Sequence, residues 1–426
     1  MMANPFLVNL PKHSKFLSQE EVPMSDSWQK AYGELKDYIV KNPSIEISEH
    51  IIAISADVRP GFYQLFNTVN LNFIKDNFPT SLEQSYALSK NWGEVSQATK
   101  DSLKLEALDA ETSARFFLLD PGDGLVRGLF DPLFDLLKGK TNLAGFEQTA
   151  TQILEHRLAK FSHEGYQDWA ILSLLKLLAT DRIYQAIGSK LGNNLDIDDS
   201  SHPGELDGSQ EENVPDSAEV HNISFEHSLM SSFLVPKIIG HSTRLKLFIA
   251  FGFDFDFTEA GWRARKLSQE LEWYKTQDIL LEFGRGNLWP DLAIYTNTQR
   301  EEIIVMADFF QIARPDIIVE FREKKDWYEK GGLELVKRHY NVLKPKLGSF
   351  VVCREAVPED VLKELEPKSE PQPAAENSTP KTTAQPALNL HFLNVGFDIP
   401  KLEPIIESII QAQAKPKEAT AEDATT

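Results

Sequence analysis

Acidic and basic side chains recur at short intervals in one stretch of this chain. Asp291 and Asp316 each follow a proline and precede an apolar run. The second run contains Glu320, Arg322 and Lys324 at intervals of two. An ideal strand would place these three side chains on one face. Carboxylate oxygens bind hard cations such as Mg²⁺, and basic side chains bind phosphate oxygens, so these residue types could act together on a phosphate ester.

The elements around these residues predict a mixed sheet. Hydrophobic patterns indicate a strand within Arg244–Phe257, a helix over Ala260–Lys275, a helix over Trp327–Leu343 and a strand at Ser349–Cys353. Between the two helices we predict four strands, at Ile279–Phe283, Leu292–Tyr295, Ile303–Ala307 and Ile317–Phe321. Strands in series, followed by a crossover helix and one more strand, are typical of an α/β fold.

Residues 262–354 resemble the common core of the PD-(D/E)XK nuclease-like superfamily in this order of elements and in their short acidic signatures. The segment PDIIVEFREKKDWYEK is similar to the acidic strand of one branch of that superfamily. The resemblance implies a Mg²⁺-dependent nuclease. Its metal ion would activate water and stabilise charge on the phosphate, and a lysine would supply a further cation.

The resemblance implies Asp291, Asp308 and Glu320 as metal ligands, in one of two registers. In the first, Asp291 pairs with Asp308, and Phe310 stands where the superfamily has lysine. In the second, Asp291 or Asp308 pairs with Glu320, and Arg322 occupies the lysine position. Arginine cannot accept a proton, although it can hold a phosphate.

Lys324 could supply the missing cation if the strand ends or bulges near it, and Glu270 or Glu272 could complete the site from the preceding helix. The alternative interpretation is purely structural. In that case Asp291 and Asp316 are turn residues that follow proline, while Asp308 and Glu320 lie on a solvated face.

Residues 314–346 form a locally basic region, with nine Lys/Arg and six Asp/Glu interleaved with Trp327, Tyr328 and Tyr340. Such a region could contact nucleic acid, and the same pattern is also typical of the exposed side of an amphipathic helix. The net charge of the whole chain is −20, which argues against general nucleic-acid affinity. Residues 227–350 carry 18 Lys/Arg against 17 Asp/Glu, so most of the negative charge lies elsewhere.

The hydrophobic patterns along the chain predict an α+β or mixed α/β protein, with a helix-rich N-terminal region and a C-terminal mixed sheet flanked by helices. In the N-terminal region, helices are predicted over Leu82–Leu108, Phe146–Phe161 and Trp169–Ile187, and a β-like run at Ile45–Ile54. The predicted segments are a helix-rich domain 1–190, an acidic linker or loop 191–226, a mixed α/β domain 227–366, a disordered insertion 367–387, a returning strand and helix 388–413, and a disordered tail 414–426.

Cysteine content and hydropathy indicate a cytoplasmic protein. Cys353 is the single cysteine, which excludes an internal disulfide and suits a reducing compartment. Polar residues interrupt the longest apolar stretch, Leu229–Phe257, so we expect no membrane span, and the first residues do not resemble a signal peptide.

Two functional hypotheses follow from the sequence. One is a divergent Mg²⁺-dependent nuclease-like protein, with or without remaining catalysis. The other is a non-enzymatic interaction or scaffold protein that binds a protein partner and needs no cofactor.

Overall fold

The structure is a computed structural model that describes residues 27–186, 217–225, 238–253, 288–300, 314–363 and 389–414. Several predictions lie outside these ranges: the helix 260–275 with Glu270 and Glu272, the strands 279–283 and 303–307, Asp308, and the insertion 367–387. Within the described ranges, no helix combines the length and the apolar composition that crossing a membrane requires.

Helices dominate the first part of the chain. They are α1 (Ser27–Lys41), α2 (Arg59–Asn77), α3 (Pro79–Leu103), α4 (Thr112–Leu119), α5 (Pro121–Val126), α6 (Phe130–Leu137) and α7 (Leu143–Leu177), with a 3₁₀ turn at Arg127–Leu129. The β-like run is an antiparallel pair, β1 (Ile45–Ile47) and β2 (Ile52–Ile54). A second small pair is parallel and joins β3 (Ala107–Asp109) to β6 (Asn222–Ser224).

An eight-stranded mixed sheet follows. Its strands are β4 (Arg182–Ala186), β5 (Ser217–Glu219), β7 (Ile238–Ser242), β8 (Leu247–Gly252), β9 (Leu292–Asn297), β10 (Ile317–Arg322), β11 (Gly348–Cys353) and β12 (Leu390–Asn394). Their spatial order is β12-β11-β10-β9-β8-β7-β4-β5. The pairs β10–β11 and β11–β12 are parallel, and the other neighbours are antiparallel. The predicted α+β, mixed α/β fold class is confirmed.

The crossover between β10 and β11 contains a π-helical turn, Tyr328–Gly332, and the helix α8 (Leu333–Leu343). Both strands are mainly apolar and are buried almost throughout, as expected for parallel strands covered on both faces, and β10 also carries Glu320 and Arg322. The buried side of α8 includes Val336, which packs against Val351 and Cys353 of β11. Two further helices, α9 (Glu359–Lys363) and α10 (Glu403–Ala414), and a 3₁₀ turn at Ile399–Leu402 complete the described chain.

Two helix ends were predicted wrongly. The pattern predicted a helix over Trp169–Ile187, but α7 ends at Leu177 and the following residues form β4. The pattern also predicted a helix that continues to Leu108, but α3 ends at Leu103. Both helices are followed by a non-glycine residue with positive φ, Ala179 after α7 and Lys104 after α3. Helix ends of this type usually carry glycine, so these sequences lack the expected stop signal. In addition, the predicted helix Phe146–Phe161 and the first part of the predicted helix Trp169–Ile187 belong to one continuous helix, α7.

The chain divides into two compact units. The first comprises Met1–Pro79 and Phe130–Phe146, and the second comprises Thr80–Leu129 and Glu147–Thr426. This division differs from the predicted segments, because α3, α4, α5 and most of α7 belong to the same unit as the sheet. All the described candidate site residues lie in the second unit.

Candidate functional site

The structure brings Asp291, Glu320 and Arg322 together at one end of the β9–β10 pair. Asp291 immediately precedes β9, which runs antiparallel to β10, so it lies beside the last residues of β10. Arg322 Nη1 donates to Asp291 Oδ2 at 2.8 Å, and its Nη2 donates to Glu320 Oε2 at 2.6 Å. The backbone N–H of Phe321 also donates to Asp291 Oδ2, at 2.7 Å. The arginine therefore bridges the two carboxylates.

Glu320 is buried beneath α8. Its side chain is 1% exposed, and its Oε1 lies 2.7 Å from Nδ1 of His339, whose side chain is 2% exposed. The alternative expectation of a solvated face for Glu320 is therefore wrong. The reason is that β10 is an interior strand and α8 covers this face. Both carboxylate oxygens of Glu320 thus have a partner, Arg322 on one side and His339 on the other.

The network continues onto α7 through His163. Its Nε2 lies 3.5 Å from Asp291 Oδ1, and its Nδ1 lies 3.3 Å from Glu323 Oε2. Burial lowers the pKa of His163, but the adjacent carboxylates of Asp291 and Glu323 outweigh it and raise that pKa to about 10. His163 is therefore protonated at neutral pH.

Charge pairing also sets the other ionisation states of the network. Burial raises the pKa of Asp291, but Arg322 and His163 lower it more, so the net pKa is below its usual range. Burial lowers the pKa of Arg322, while Asp291 and Glu320 raise it further, so the net pKa is above its usual range. The guanidinium also lies 5.6 Å from the ring centroid of Trp327. The result is a chain of alternating charges, from Glu320 through Arg322, Asp291 and His163 to Glu323.

Other predicted residues lie elsewhere. Lys324 follows the end of β10 and exposes its side chain. Asp316 precedes β10 at the opposite end of the strand pair and accepts hydrogen bonds from Thr296, from its backbone N–H at 2.6 Å and its Oγ1 at 2.9 Å. Its Oδ1 lies 3.2 Å from Nζ of Lys346. Asp308, Glu270 and Glu272 lie outside the described residues.

Sequence reasoning missed His163, Glu323 and His339. His163 is 128 positions before Asp291, and only the folding of α7 against the sheet brings the two together. His339 left a weak signal, because it falls on the apolar side of the predicted helix with Val336 and Val342. A histidine at such a position needs a buried partner, and Glu320 provides it.

The residues present do not fit Mg²⁺ in this arrangement. A Mg²⁺ ion needs near-octahedral oxygen ligands at about 2.0–2.1 Å. Here the guanidinium of Arg322 lies between Asp291 and Glu320 and already uses one oxygen of each. In the described part of the chain, no group of three or more His, Cys, Asp and Glu side chains is arranged to hold a metal ion.

A cavity of about 190 Å³ is lined in part by Asp291 and His163 of the ion network. The face of α7 that contributes to it carries His163, Glu164, Gln167 and Asp168, at the i, i+1, i+4 and i+5 spacing that shares one side of a helix. Aromatic rings and a further glutamate complete the lining. Asp291 is thus shared by the ion network and the cavity.

The basic region 314–346 is partly neutralised within the chain. Lys337 Nζ lies 2.8 Å from Glu334 Oε1, and Lys346 pairs with Asp316. Arg314 donates to the backbone carbonyl of Lys344. Lys337 and Lys346 are therefore paired with carboxylates of the same region, and less of their charge is available to a phosphate backbone.

Comparison of the chain with protein-family models, with curated proteins and with solved structures gives no significant match.

Proposed function

We propose that this chain is a non-catalytic binding protein with a nuclease-like core, in which an arginine takes the position that a divalent cation would need. The observation that carries this proposal is the bridge from Arg322 to Asp291 and Glu320, at 2.8 and 2.6 Å. All three side chains are well buried, with 13, 16 and 1% exposure respectively. A positive charge fixed between two carboxylates opposes the entry of a second one.

The protonation of His163 also supports this proposal. A general base must be unprotonated at the working pH and must reach the water that it activates. His163 has a pKa of about 10 and lies between two carboxylates, which favours a charge-pairing role. Arg322 likewise directs its donors to the protein's own carboxylates, so little of its hydrogen-bonding capacity is left for a substrate phosphate.

A Mg²⁺-dependent nuclease is the second candidate. It is favoured by the convergence of Asp291 and Glu320 on one point of two adjacent antiparallel strands. For this function, Arg322 would have to leave both carboxylates before a metal ion could bind. The two proposals therefore differ in one measurable quantity, the affinity of the wild-type chain for Mg²⁺.

Calorimetric titration of Mg²⁺ and Mn²⁺ into the full chain tests the choice. We expect no saturable binding that depends on Asp291. The matched variants are Asp291→Asn and Asp316→Asn, since both aspartates follow a proline and precede a strand. Saturable binding to wild type that is lost in Asp291→Asn and kept in Asp316→Asn would overturn the proposal and justify cleavage assays on labelled DNA and RNA.

A second arm uses Arg322→Ala. This substitution removes the guanidinium from one oxygen of each carboxylate, while His163 and His339 still contact the other oxygens. We therefore expect Mg²⁺ to raise the Tm of the variant and to leave the Tm of wild type unchanged. If the variant does not fold, the wild-type titration still decides between the proposals. The same preparations can be titrated with a labelled single-stranded oligonucleotide, for which we expect no binding at physiological salt.

A further inference from the structure

The two edge strands of the eight-stranded sheet differ in length and in charge. One edge is β5, which has three residues and ends at the exposed Glu219. The other edge is β12, which has five residues, LHFLN, without proline, lysine, arginine, aspartate or glutamate. Edge strands commonly avoid pairing with other chains by being short or by carrying charge or proline. β12 lacks these features, so it is the edge that a further strand can join.

The backbone hydrogen bonds of β12 show which of its groups point outward. The residues that flank the strand, Asn389 and Val395, each make a backbone hydrogen bond of 2.9 Å to β11. Successive residues of a strand direct their backbone groups to opposite sides. The N–H and C=O groups of Leu390, Phe392 and Asn394 therefore point away from β11, and they have no partner among the residues that the structure describes. Every residue of β12 is at least partly exposed, so another chain can reach this edge.

We propose that β12 pairs with β12 of a second copy of this chain, antiparallel and about a two-fold axis at Phe392. In this register Phe392 lies opposite the partner's Phe392, and Leu390 lies opposite the partner's Asn394. Each such pair exchanges two backbone hydrogen bonds, so the outward groups of all three residues gain partners. A two-fold contact uses the same patch on both copies and closes as a dimer. The proposal does not rest on the network at Arg322 and holds whether or not the chain binds Mg²⁺.

The side chains of β12 favour a second copy as the partner. The net charge of the chain is −20, so two copies repel each other in general. A self-pairing strand must keep like charges from facing each other, and β12 brings no acidic side chain into the contact. Phe392 is also held in place, because its ring stacks on that of Trp327 with centroids 6.3 Å apart and an interplanar angle of 16°. Two such rings on neighbouring strands form a cross-strand aromatic pair.

The length of β12 limits the strength of the contact. Five residues per chain is well below the about 20–30 residues per side of a stable interface. We therefore expect a weak dimer with a Kd in the micromolar range, which forms and dissociates as the concentration changes.

Sedimentation velocity of the full chain from about 1 to about 200 µM tests the proposal, because this range brackets a micromolar Kd. We expect a reversible shift from monomer to dimer. Asn394→Pro removes an outward N–H and leaves the side that pairs with β11 intact, so we expect its Kd to rise about tenfold or more. Asn394→Thr keeps the N–H at the same exposed position and is the matched control, with an unchanged Kd.

Two double variants test the register and decide the matter if Asn394→Pro does not fold. Leu390→Lys combined with Asn394→Lys places like charges opposite each other in the proposed pairing, so we expect the dimer to be lost. Leu390→Glu combined with Asn394→Lys places opposite charges there, so we expect the dimer to be kept. Both double variants change the same two positions, so they share any cost to the fold.

Three results would overturn the proposal. The first is a single monomeric species over the whole concentration range. The second is a dimer whose Kd is the same in Asn394→Pro or in both double variants, because association would then use another surface. The third concerns the partner: a blocked peptide with the sequence of residues 389–395, NLHFLNV, should inhibit dimerisation, and the same residues in scrambled order should not. Equal inhibition by the two peptides would show that the edge accepts any extended chain and does not select a second copy.

Discussion

Asp291 and Asp316 occupy equivalent positions in the β9–β10 pair and have different surroundings. Asp291 precedes β9 and accepts the backbone N–H of Phe321 near the end of β10, at 2.7 Å. Asp316 precedes β10 and accepts the backbone N–H of Thr296 near the end of β9, at 2.6 Å. Each aspartate therefore satisfies a backbone donor where the neighbouring strand ends. This shared role is structural and needs no metal.

The difference lies in the cations that surround each carboxylate. Asp291 is 16% exposed and pairs with Arg322 and His163, whereas Asp316 pairs with Lys346, whose side chain is 43% exposed. The proline–aspartate pair by itself thus specifies a strand end. The electrostatic character of each site depends on the charged side chains that the fold places beside the aspartate. Of the two aspartates, Asp291 belongs to an ion network that reaches α7, and Asp316 does not.

The largest effect is expected from Arg322→Ala. The substitution leaves Asp291 and the buried Glu320 without their shared cation, and removing one member of a buried ion network typically costs about 3–5 kcal/mol. Urea unfolding followed by circular dichroism measures the loss. Lys337→Ala is the matched control, because its ion pair with Glu334 has the same 2.8 Å separation and a 69% exposed glutamate, so it should cost under about 0.5 kcal/mol. Equal losses in the two variants would show that the network is energetically unimportant.

The comparison of the two aspartates is sharpened by Asp291→Asn and Asp316→Asn. Asparagine keeps an oxygen that can accept the backbone N–H and removes only the charge. We expect a loss of about 2–3 kcal/mol for Asp291→Asn, because Arg322 and His163 lose a buried partner. For Asp316→Asn we expect about 1 kcal/mol or less, because Lys346 is largely solvated.

The pH dependence distinguishes the charge of Asp291 from its packing. The pKa of Asp291 is lowered in the folded state, so its contribution is present above the unfolded pKa of about 3.9 and is lost as the pH falls further. The gap between wild type and Asp291→Asn in unfolding free energy should therefore narrow at acid pH. A gap that stays constant down to acid unfolding would assign the effect to packing.

Local patterns predicted the strands of the sheet better than the helix ends. The runs at Leu292–Tyr295, Ile317–Phe321 and Ser349–Cys353 fall within β9, β10 and β11, because buried strands are rich in apolar side chains and these runs are mainly apolar. The end of α7 could not be predicted in this way. It depends on Ala179 adopting a left-handed conformation, which alanine rarely favours, and on the pairing of β4 with β7.

The candidate site could be predicted only in part. The spacing of Glu320 and Arg322 on one strand is local, and the structure places both in one network. The partners that decide its chemistry, His163 and His339, come from two different helices, and sequence spacing carries no information about such distant contacts. The same limit applies to the cavity, whose lining comes from widely separated parts of the chain.

The smallest effect is expected from His163→Gln. The informative quantity is the direction in which the difference in unfolding free energy between wild type and this variant changes with pH. Because the folded-state pKa of His163 is raised from about 6.5 to about 10, its stabilising contribution is complete below pH about 6.5 and is lost as the pH rises through about 10. The side chain is 33% exposed, so solvent screening limits the contribution to about 1 kcal/mol. Wild type should exceed His163→Gln in unfolding free energy at pH 6, and the difference should disappear by about pH 10.5.

His156→Gln, an exposed position on the same helix, is the control and should give a difference near zero throughout. If the His163→Gln difference instead grew with pH, the imidazole would be neutral in the folded state, and the alternating charge chain from Glu320 to Glu323 would be broken at that point.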